Sequence, residues 1–133
     1  MTTTNTTINI RTYIDLSNSN IMECKVTYIL RMLGIPAHIN GYGYLKSAII
    51  KVVDNPSYIY LITKRLYVDL GKEFDSSASK VERGMRNAIE KIDCDDFTKI
   101  SFIGKAKDDY TNTEVITGIS ELLRCSRLMD DVE

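Results

Sequence analysis

Apolar residues recur at intervals of three and four through most of this 133-residue chain. That spacing is typical of amphipathic helices, because strands would alternate with a period of two. Helix-ending signals divide the pattern into segments. Gly34-Ile35-Pro36 ends the first, and Asn55-Pro56 ends the second because proline disfavours helix in the residue before it. The pattern predicts an all-α protein of five or six helices.

The same pattern and the turn signals predict where the helices lie. The first helix begins near Ile21 and ends before Gly34, and the second contains an apolar stripe from Leu45 to Val53. The later helices are predicted from Tyr58 to Phe74, from Ser77 to Ile92, and onward from Thr111. A short apolar segment at 97–103 lies between the last two of these.

Composition divides the chain into one large part and two short ends. Residues 1–20 are rich in Thr, Asn and Ser, which favours partial disorder, although Ile8 and Ile10 alternate as in a short strand. A lone strand needs a partner, so this segment also suits a contact between two copies of the chain. Residues 21–128 form the predicted helical domain, which is large enough to bury a core, and residues 129–133 form an acidic tail.

Charge, cysteines and histidine exclude several classes of function. The formal net charge of −1 argues against a protein that coats nucleic acid by bulk electrostatics. Cys24, Cys94 and Cys125 are far apart and form no CxxC pair, whereas a zinc site or a disulfide framework would need more ligands at tighter spacing. The single histidine, His38, has no Ser, Cys or carboxylate near it in sequence. We therefore expect a cytoplasmic protein that is not an enzyme, does not enter a membrane and needs no metal or cofactor.

The segment Ile62–Lys91 predicts two amphipathic helices joined by a short polar turn, which is the arrangement of a helix-turn-helix. Such a motif needs an apolar-small pair in its first helix, where the two helices cross closely, and Leu70-Gly71 supplies it. It also needs an apolar residue one turn into the second helix, and Val81 meets that demand. Asp75-Ser76-Ser77 forms the predicted turn and offers capping oxygens, although Ser79 also begins a capping-box pattern.

The outward face of the second helix carries side chains that can read base edges. Arginine forms bidentate bonds to guanine, asparagine forms them to adenine, and glutamate accepts a hydrogen bond from cytosine. The outward positions are Lys80, Glu82, Arg83, Arg86, Asn87, Glu90 and Lys91. Periodicity by itself also fits an ordinary helical hairpin with a solvated charged face.

Three segments resemble the C-terminal effector domain of the master response regulator of sporulation in endospore-forming bacteria. They are GIPAHINGYGYLKSAI at 34–49, ITKRLYVDLGKEFDSSASKVERGMRNAIE at 62–90 and TNTE at 111–114. The resemblance covers most of residues 24–124. It implies an all-helical domain that binds a short box in double-stranded DNA through the helix containing VERGMRNAIE. It also implies homodimers on tandem boxes and surfaces that contact the sigma subunit of RNA polymerase.

The resemblance assigns roles to individual residues of the second helix. The residues implied to face the bases are Glu82, Arg83, Arg86 and Asn87. The residues implied to lie near phosphates are Ser77, Ser79 and Lys80, at the start of a helix in the groove. We add Glu90 to the base-facing set because it shares the outward face. Lys64 and Lys91 extend the set that we expect to face phosphates.

The chain also departs from the pattern of that family. The residues before Ile21 are too few for a phosphorylatable receiver domain, and Val68 and Gly71 replace the family's proline and alanine. We therefore predict a sequence-specific DNA-binding regulator that acts without phosphorylation control, as a repressor, competitor or modulator of sporulation genes. The alternative is a protein-interaction antagonist that binds a related sporulation regulator or RNA polymerase rather than DNA. The acidic residues between 93 and 96 and the acidic tail suit that alternative.

Overall fold

Six α-helices and no strand are found within residues 18–132, the part of the chain that the computed structural model describes. In chain order they are α1 (Asn18–Met32), α2 (Asn40–Asp54), α3 (Tyr67–Glu73), α4 (Ala78–Ile89), α5 (Asp96–Ile103) and α6 (Asn112–Val132). The prediction of an all-α domain is confirmed. The short strand predicted near Ile8 lies outside the described residues.

The predicted end of the first helix at Gly34 is confirmed, since α1 stops two residues before it. Gly34 adopts φ 85°, a left-handed conformation that glycine takes without a steric penalty. The N–H of Ile35 then donates to the carbonyl oxygen of Leu30 at 3.1 Å, which satisfies one of the carbonyls left unpaired at the helix end.

The acidic stretch after α4 begins a helix rather than a solvated loop. The side chain of Asp95 accepts a hydrogen bond from the N–H of Thr98 at 2.8 Å and so caps α5. The Thr98 side chain and N–H hold the pKa of the Asp95 carboxyl below its usual value. The apolar segment at 97–103 is therefore the body of α5, which completes the count of six.

The region between Tyr58 and Phe74 is not the single α-helix that the sequence predicts. Pro56–Leu61 is a 3-10 helix, Ile62–Leu66 is a π-helical turn, and only the remainder is α3. Leu61 leaves the helical region at φ −132° and ψ 35°, where the first two parts meet. Both helix types are usually short. Because they differ from an α-helix in the number of residues per turn, they change the direction in which each side chain points.

Local and tertiary contacts explain this departure. Asn55 accepts from the N–H of Ser57, and Pro56 follows it at the first position of the 3-10 helix. The hydroxyl of Tyr58 donates to a carboxylate oxygen of Asp69 at 2.5 Å, which ties the start of the segment to α3. The tight 3-10 turns and the wide π-helical turn lie between the cap at Asn55 and α3.

Helix α2 is the centre of the fold. It packs against α1 on one side and against α4 and α6 on others. Its buried residues include Leu45, Ile49 and Val52, which recur at helical spacing and lie fully inside. Fully buried large side chains from the other elements complete the core, namely Leu30, Leu33, Leu66, Leu70, Met85, Ile116 and Ile119. The spacing of apolar residues by three and four positions thus decides which face of each helix turns inward.

Two glycines meet where α2 crosses α4. A β-carbon at Gly41 would overlap the carbonyl oxygen of Gly84, and a β-carbon at Gly84 would lie 2.9 Å from the ring of Tyr44. The backbones of α2 and α4 are therefore in direct contact. This close approach is possible because neither glycine has a side chain. This crossing sets where α4 lies on the domain.

The start of α6 is closed by reciprocal hydrogen bonds between Thr111 and Glu114. The N–H of Glu114 donates to the Thr111 hydroxyl at 3.1 Å, and the N–H of Thr111 donates to the Glu114 carboxylate at 2.9 Å, which together form a capping box. The ammonium groups of Lys105 and Lys107 each lie 2.8 Å from the same carboxylate. Hydrogen bonds from Lys105, Lys107 and the Thr111 N–H hold the pKa of Glu114 far below its usual range.

Two further features of the described residues concern the cysteine thiols and the length and hydropathy of the helices. Cys24, Cys94 and Cys125 are all free, and burial raises the pKa of the Cys94 thiol. Within residues 18–132, no helix has the length and hydropathy needed to cross a bilayer.

We predict that Gly41→Ala destabilises the protein by about 1–3 kcal/mol, because the added methyl group forces α2 and α4 apart. Urea unfolding followed by circular dichroism measures the effect. Gly43→Ala in the same helix is the matched control, since its β-carbon would lie 3.6 Å from the Phe74 ring, at ordinary contact distance. We expect the control to be neutral or more stable by up to about 1 kcal/mol. Equal effects of the two substitutions would contradict the role of the crossing.

We predict that Glu114→Gln lowers stability most near neutral pH. The folded pKa of Glu114 is depressed, so its contribution is present above the ordinary value of 4.5 and is lost as the pH falls toward the folded value. Melting temperatures from pH 7 to pH 3 should therefore show the difference between wild type and variant shrinking below about pH 4.5. Glu121→Gln, at an exposed position of α6, is the control and should give a small difference at every pH. A gap that widens in acid would contradict the prediction.

Candidate DNA-binding surface

Helices α3 and α4 and the four residues between them form a helix-turn-helix, as the sequence predicts. The N–H of Ser76 donates to the carbonyl oxygen of Gly71 at 2.7 Å, so the chain turns sharply at the end of α3. A β-carbon at Gly71 would lie 2.9 Å from the carbonyl oxygen of Ser76, which explains why a small residue is needed there. Leu70 and Val81 are fully buried, as the motif requires.

The turn between the two helices depends on Asp75, which adopts φ 52°. It is the only non-glycine residue with positive φ among residues 18–132. Asp and Asn tolerate this left-handed conformation better than other residues with a β-carbon. A side chain with a negative charge therefore occupies a position where glycine is more usual.

Ser77 caps α4, and Ser79 does not. The Ser77 hydroxyl accepts a hydrogen bond from the N–H of Lys80 at 3.2 Å. Ser79 lies exposed in the first turn of α4. Of the two caps that the sequence allows, the structure contains the earlier one.

Helix α4 has an apolar face and a charged face. Its buried residues are Val81, Met85, Ala88 and Ile89. The opposite face is exposed at Lys80, Arg83, Arg86, Asn87 and Glu90, and Glu82 is half-buried at its margin. The division agrees with the predicted outward positions.

A groove of ≈ 610 Å³ runs between this charged face and the start of α2. It is lined by Asn40 and Tyr44 of α2 and by Lys80, Arg83, Gly84, Arg86, Asn87 and Glu90 of α4. The crossing at Gly41 and Gly84 brings these two helices together. The groove is open to solvent, unlike an enclosed pocket for a small molecule.

Basic side chains predominate in the groove. Lys80, Arg83 and Arg86 face a single acidic residue there, Glu90. One nitrogen of the Arg86 guanidinium lies 3.3 Å from the carboxylate of Glu82, one helical turn earlier. Within the described residues, the side chains of Lys80 and Arg83 form no ion pair. Local positive charge therefore coexists with a net charge of −1 for the chain.

The family model described as "Sporulation initiation factor Spo0A C terminal" matches residues 26–123 of the chain. The chain belongs to this family. The match contains α2 to α5, the last seven residues of α1 and the first twelve of α6. It confirms the resemblance found in the sequence, and the helix-turn-helix lies within it.

Membership in the Spo0A C-terminal family places the chain among DNA-binding transcription regulators of sporulation. This family is a DNA-binding domain and not a family of enzymes. Within the described residues, no group of three or more His, Cys, Asp and Glu side chains could hold a metal ion.

The structure brings together most of the residues assigned to DNA contact. Lys80, Arg83, Arg86, Asn87 and Glu90 line one groove, with Glu82 at its margin. Ser77, Ser79 and Lys91 are exposed near the two ends of α4 but do not line that groove. Lys64 is exposed on the π-helical turn and lies on a separate element. The contacts of all ten residues with DNA stay predictions.

Two groove residues, Asn40 and Tyr44, are absent from the sequence-based set. Both lie in the segment at 34–49 that resembles the family. That resemblance is the feature of the sequence that could have identified them. Their proximity to α4 depends on a helix crossing between residues far apart in sequence, so periodicity does not reveal it.

A second groove of ≈ 580 Å³ continues from the first along the turn of the motif. Its lining includes His38, Asn40, Asp75 and Lys80. The start of α2 opens onto it, and Ile39 at that helix end supplies no capping side chain. Unpaired N–H groups at a helix start favour anionic groups, as does Lys80, whereas Asp75 opposes them.

We predict that Asp75→Asn leaves stability within about 0.5 kcal/mol of wild type, because asparagine also tolerates positive φ. Asp75→Val should cost about 1–3 kcal/mol, since a β-branched side chain is strained in that conformation. Thermal unfolding of the two variants measures the difference. Equal stability of the two variants would show that the turn does not depend on this backbone conformation.

Proposed function

We propose that this protein is a sequence-specific DNA-binding regulator that inserts α4 into the major groove. The observation that carries the proposal is the exposed set of Arg83, Arg86 and Asn87 on a helix held rigidly against α2. An α-helix fits the major groove of B-DNA, where arginine and asparagine have matching base edges. The family match supports DNA binding in general, and sequence-specific reading is the finer part of the proposal.

The proposed contacts divide into base readout and backbone positioning. Arg83 and Arg86 are suited to guanine and Asn87 to adenine, while Glu82 and Glu90 can accept from cytosine. The residues proposed to lie near phosphates are Ser77, Ser79, Lys80, Lys91 and Lys64. Those at the start of α4 and those elsewhere would contact the backbone at different points, which would fix the register of the helix.

On this face, Arg86 can either pair with Glu82 or contact a base. In the free protein, Glu82 orients the Arg86 guanidinium along the helix at 3.3 Å. Because the pair is more than one-third exposed, it contributes little to stability and can be exchanged for a base contact at small cost. Arg86 can therefore turn to guanine while the Glu82 carboxylate accepts from a neighbouring cytosine.

A further part of the proposal is that binding does not need phosphorylation of the chain. The Ser77 cap, the turn at Asp75 and the groove beside α4 support it, because none of them involves a phosphate group. We accordingly propose that the unmodified chain binds its site, as a repressor, a competitor or a modulator. A measurement with the unmodified protein tests this part directly.

The second candidate function is a protein-interaction antagonist, and helix α5 favours it. Phe97 and Ile100 of that helix are 79% and 53% exposed. The acidic residues Asp93, Asp95 and Asp96 precede or begin it. An apolar surface beside negative charge suits a protein partner such as a sporulation regulator or RNA polymerase more than a DNA backbone.

We predict that Arg83→Ala and Arg86→Ala each weaken binding by about 1–3 kcal/mol, roughly 5- to 150-fold in Kd, at a site with matched guanines. The site is obtained by repeated selection of duplexes from a random pool with the unmodified wild-type protein. Mobility-shift titrations of the selected duplex then measure Kd at two salt concentrations. Lys80→Ala should weaken selected and scrambled duplexes alike and reduce the salt slope by about 0.9.

Arg124→Ala is the matched control, because Arg124 is exposed on α6 and lines neither groove. We expect it to bind like wild type. Selection that enriches no sequence, or no retardation of any duplex at low salt, would overturn the proposal and leave the antagonist function as the better one. Binding that is unaffected by both arginine substitutions would show that α4 does not read the site.

A further inference from the structure

The first residue of α6 lies underneath the helix-turn-helix. Asn112 is 8% exposed, and its side-chain amide donates two hydrogen bonds. One goes to the hydroxyl of Tyr67 at 3.0 Å, and the other goes to the backbone carbonyl oxygen of Glu82 at 3.2 Å. Tyr67 is the first residue of α3, whereas Glu82 lies in the first half of α4. A single amide group therefore joins α6 to both helices of the motif.

These hydrogen bonds differ in kind from the apolar contacts of α4. Val81, Met85 and Ala88 bury the inner face of the helix and decide which side turns inward, but hydrophobic burial is non-directional and does not by itself fix the exact rotation about the helix axis. A hydrogen bond to the Glu82 carbonyl requires a particular distance and angle. Because this carbonyl directly precedes Arg83 and lies one turn before Arg86, the bond fixes the part of the helix that carries the proposed readout.

Asn112 is itself held firmly. It lies between Thr111 and Glu114, whose reciprocal hydrogen bonds form the capping box at the start of α6. Lys105 and Lys107 anchor the same Glu114 carboxylate. The Asn112 amide thus projects from a helix start that is held by its own hydrogen bonds and ion pairs, independently of α4.

The Tyr67 hydroxyl is also suited to its part in this network. Its side chain is buried, and burial raises the pKa of Tyr67, so the ring stays neutral at physiological pH. A neutral hydroxyl oxygen accepts the Asn112 hydrogen bond without placing a charge in the core. Through these two hydrogen bonds, the Asn112 amide links both α3 and α4 to the start of α6.

We propose that Asn112 is a positioning residue for DNA recognition: its amide sets the depth and rotation of α4, and so controls sequence discrimination. The inference rests on the proposed function, since it concerns how α4 reads bases. Non-specific affinity depends mainly on phosphate contacts, which tolerate small shifts of the helix. Base readout requires hydrogen-bond geometry and is lost when the helix rotates or slides.

The test compares Asn112→Ala, Tyr67→Phe and Thr113→Ala with wild type in the full chain. Thr113→Ala is the matched control, because Thr113 is exposed beside Asn112 on α6. The quantity measured is the ratio of Kd for a scrambled duplex to Kd for the selected duplex, at one salt concentration. The temperature is one at which circular dichroism shows every variant folded.

We expect Asn112→Ala to reduce this ratio about fivefold or more, because both hydrogen bonds of the amide are lost, with the Kd for scrambled DNA unchanged. Tyr67→Phe keeps the bond to Glu82 and should reduce the ratio by less than about twofold, as a weaker effect of one lost acceptor. Thr113→Ala should match wild type. An unchanged ratio, or an equal loss of affinity for both duplexes, would show that Asn112 is merely structural and overturn the inference.

Failure of the proposed function is distinguishable from failure of this inference. If wild type shows no preference for any duplex, the proposed function fails by itself. The amide chemical shifts of α4 in the free protein then decide the positioning role. Shifts from Arg83 to Asn87 that move in Asn112→Ala but not in Thr113→Ala would support it, and unmoved shifts would overturn it.

Discussion

The close crossing of α2 and α4 at Gly41 and Gly84 is the constraint on which the remaining structure depends. Neither residue can carry a β-carbon without displacing the other helix or the Tyr44 ring. Because the two backbones meet there, the charged face of α4 and the first turn of α2 share one groove. A wider crossing would still bury the apolar face of α4, but it would separate Asn40 and Tyr44 from the arginines. The crossing therefore links the core of the domain to its proposed DNA surface.

Positive charge in this protein is concentrated beside α4, and the net charge of the chain does not reveal it. The chain has a net charge of −1, yet the groove beside α4 contains Lys80, Arg83 and Arg86 against Glu90 alone. Opposing charges lie close by, since Glu82 pairs with Arg86 and Asp75 occupies the turn. Such an arrangement limits non-specific attraction to DNA while leaving directional side chains available for base edges. It is consistent with a member of the Spo0A C-terminal family that depends on readout more than on bulk charge.

Much of the fold was predictable because its signals are short-range. Helix ends at Gly34 and Asn55, the Leu70-Gly71 pair and the inward positions of α4 all follow from spacing and local backbone preferences. The region from Tyr58 to Phe74 was not, because apolar residues three and four apart fit 3-10 and π-helical turns as well as an α-helix. The outward face of α4 was likewise predictable, whereas Asn40 and Tyr44 were missed. Their role depends on contact between segments about forty residues apart, which no local pattern encodes.

Sequence by itself determined the helical class, the helix-turn-helix and which side chains of α4 face outward, since each depends on residues a few positions apart. The three segments that resemble the family indicated a DNA-binding sporulation effector domain, and the match over residues 26–123 agrees with them. Tertiary structure decided which elements contact α4: α2 through the glycine crossing beside its charged face, and α6 through the Asn112 amide underneath it. It also decided that Ser77 rather than Ser79 caps the recognition helix. Those outcomes depend on distances between helices, which only the packed core fixes.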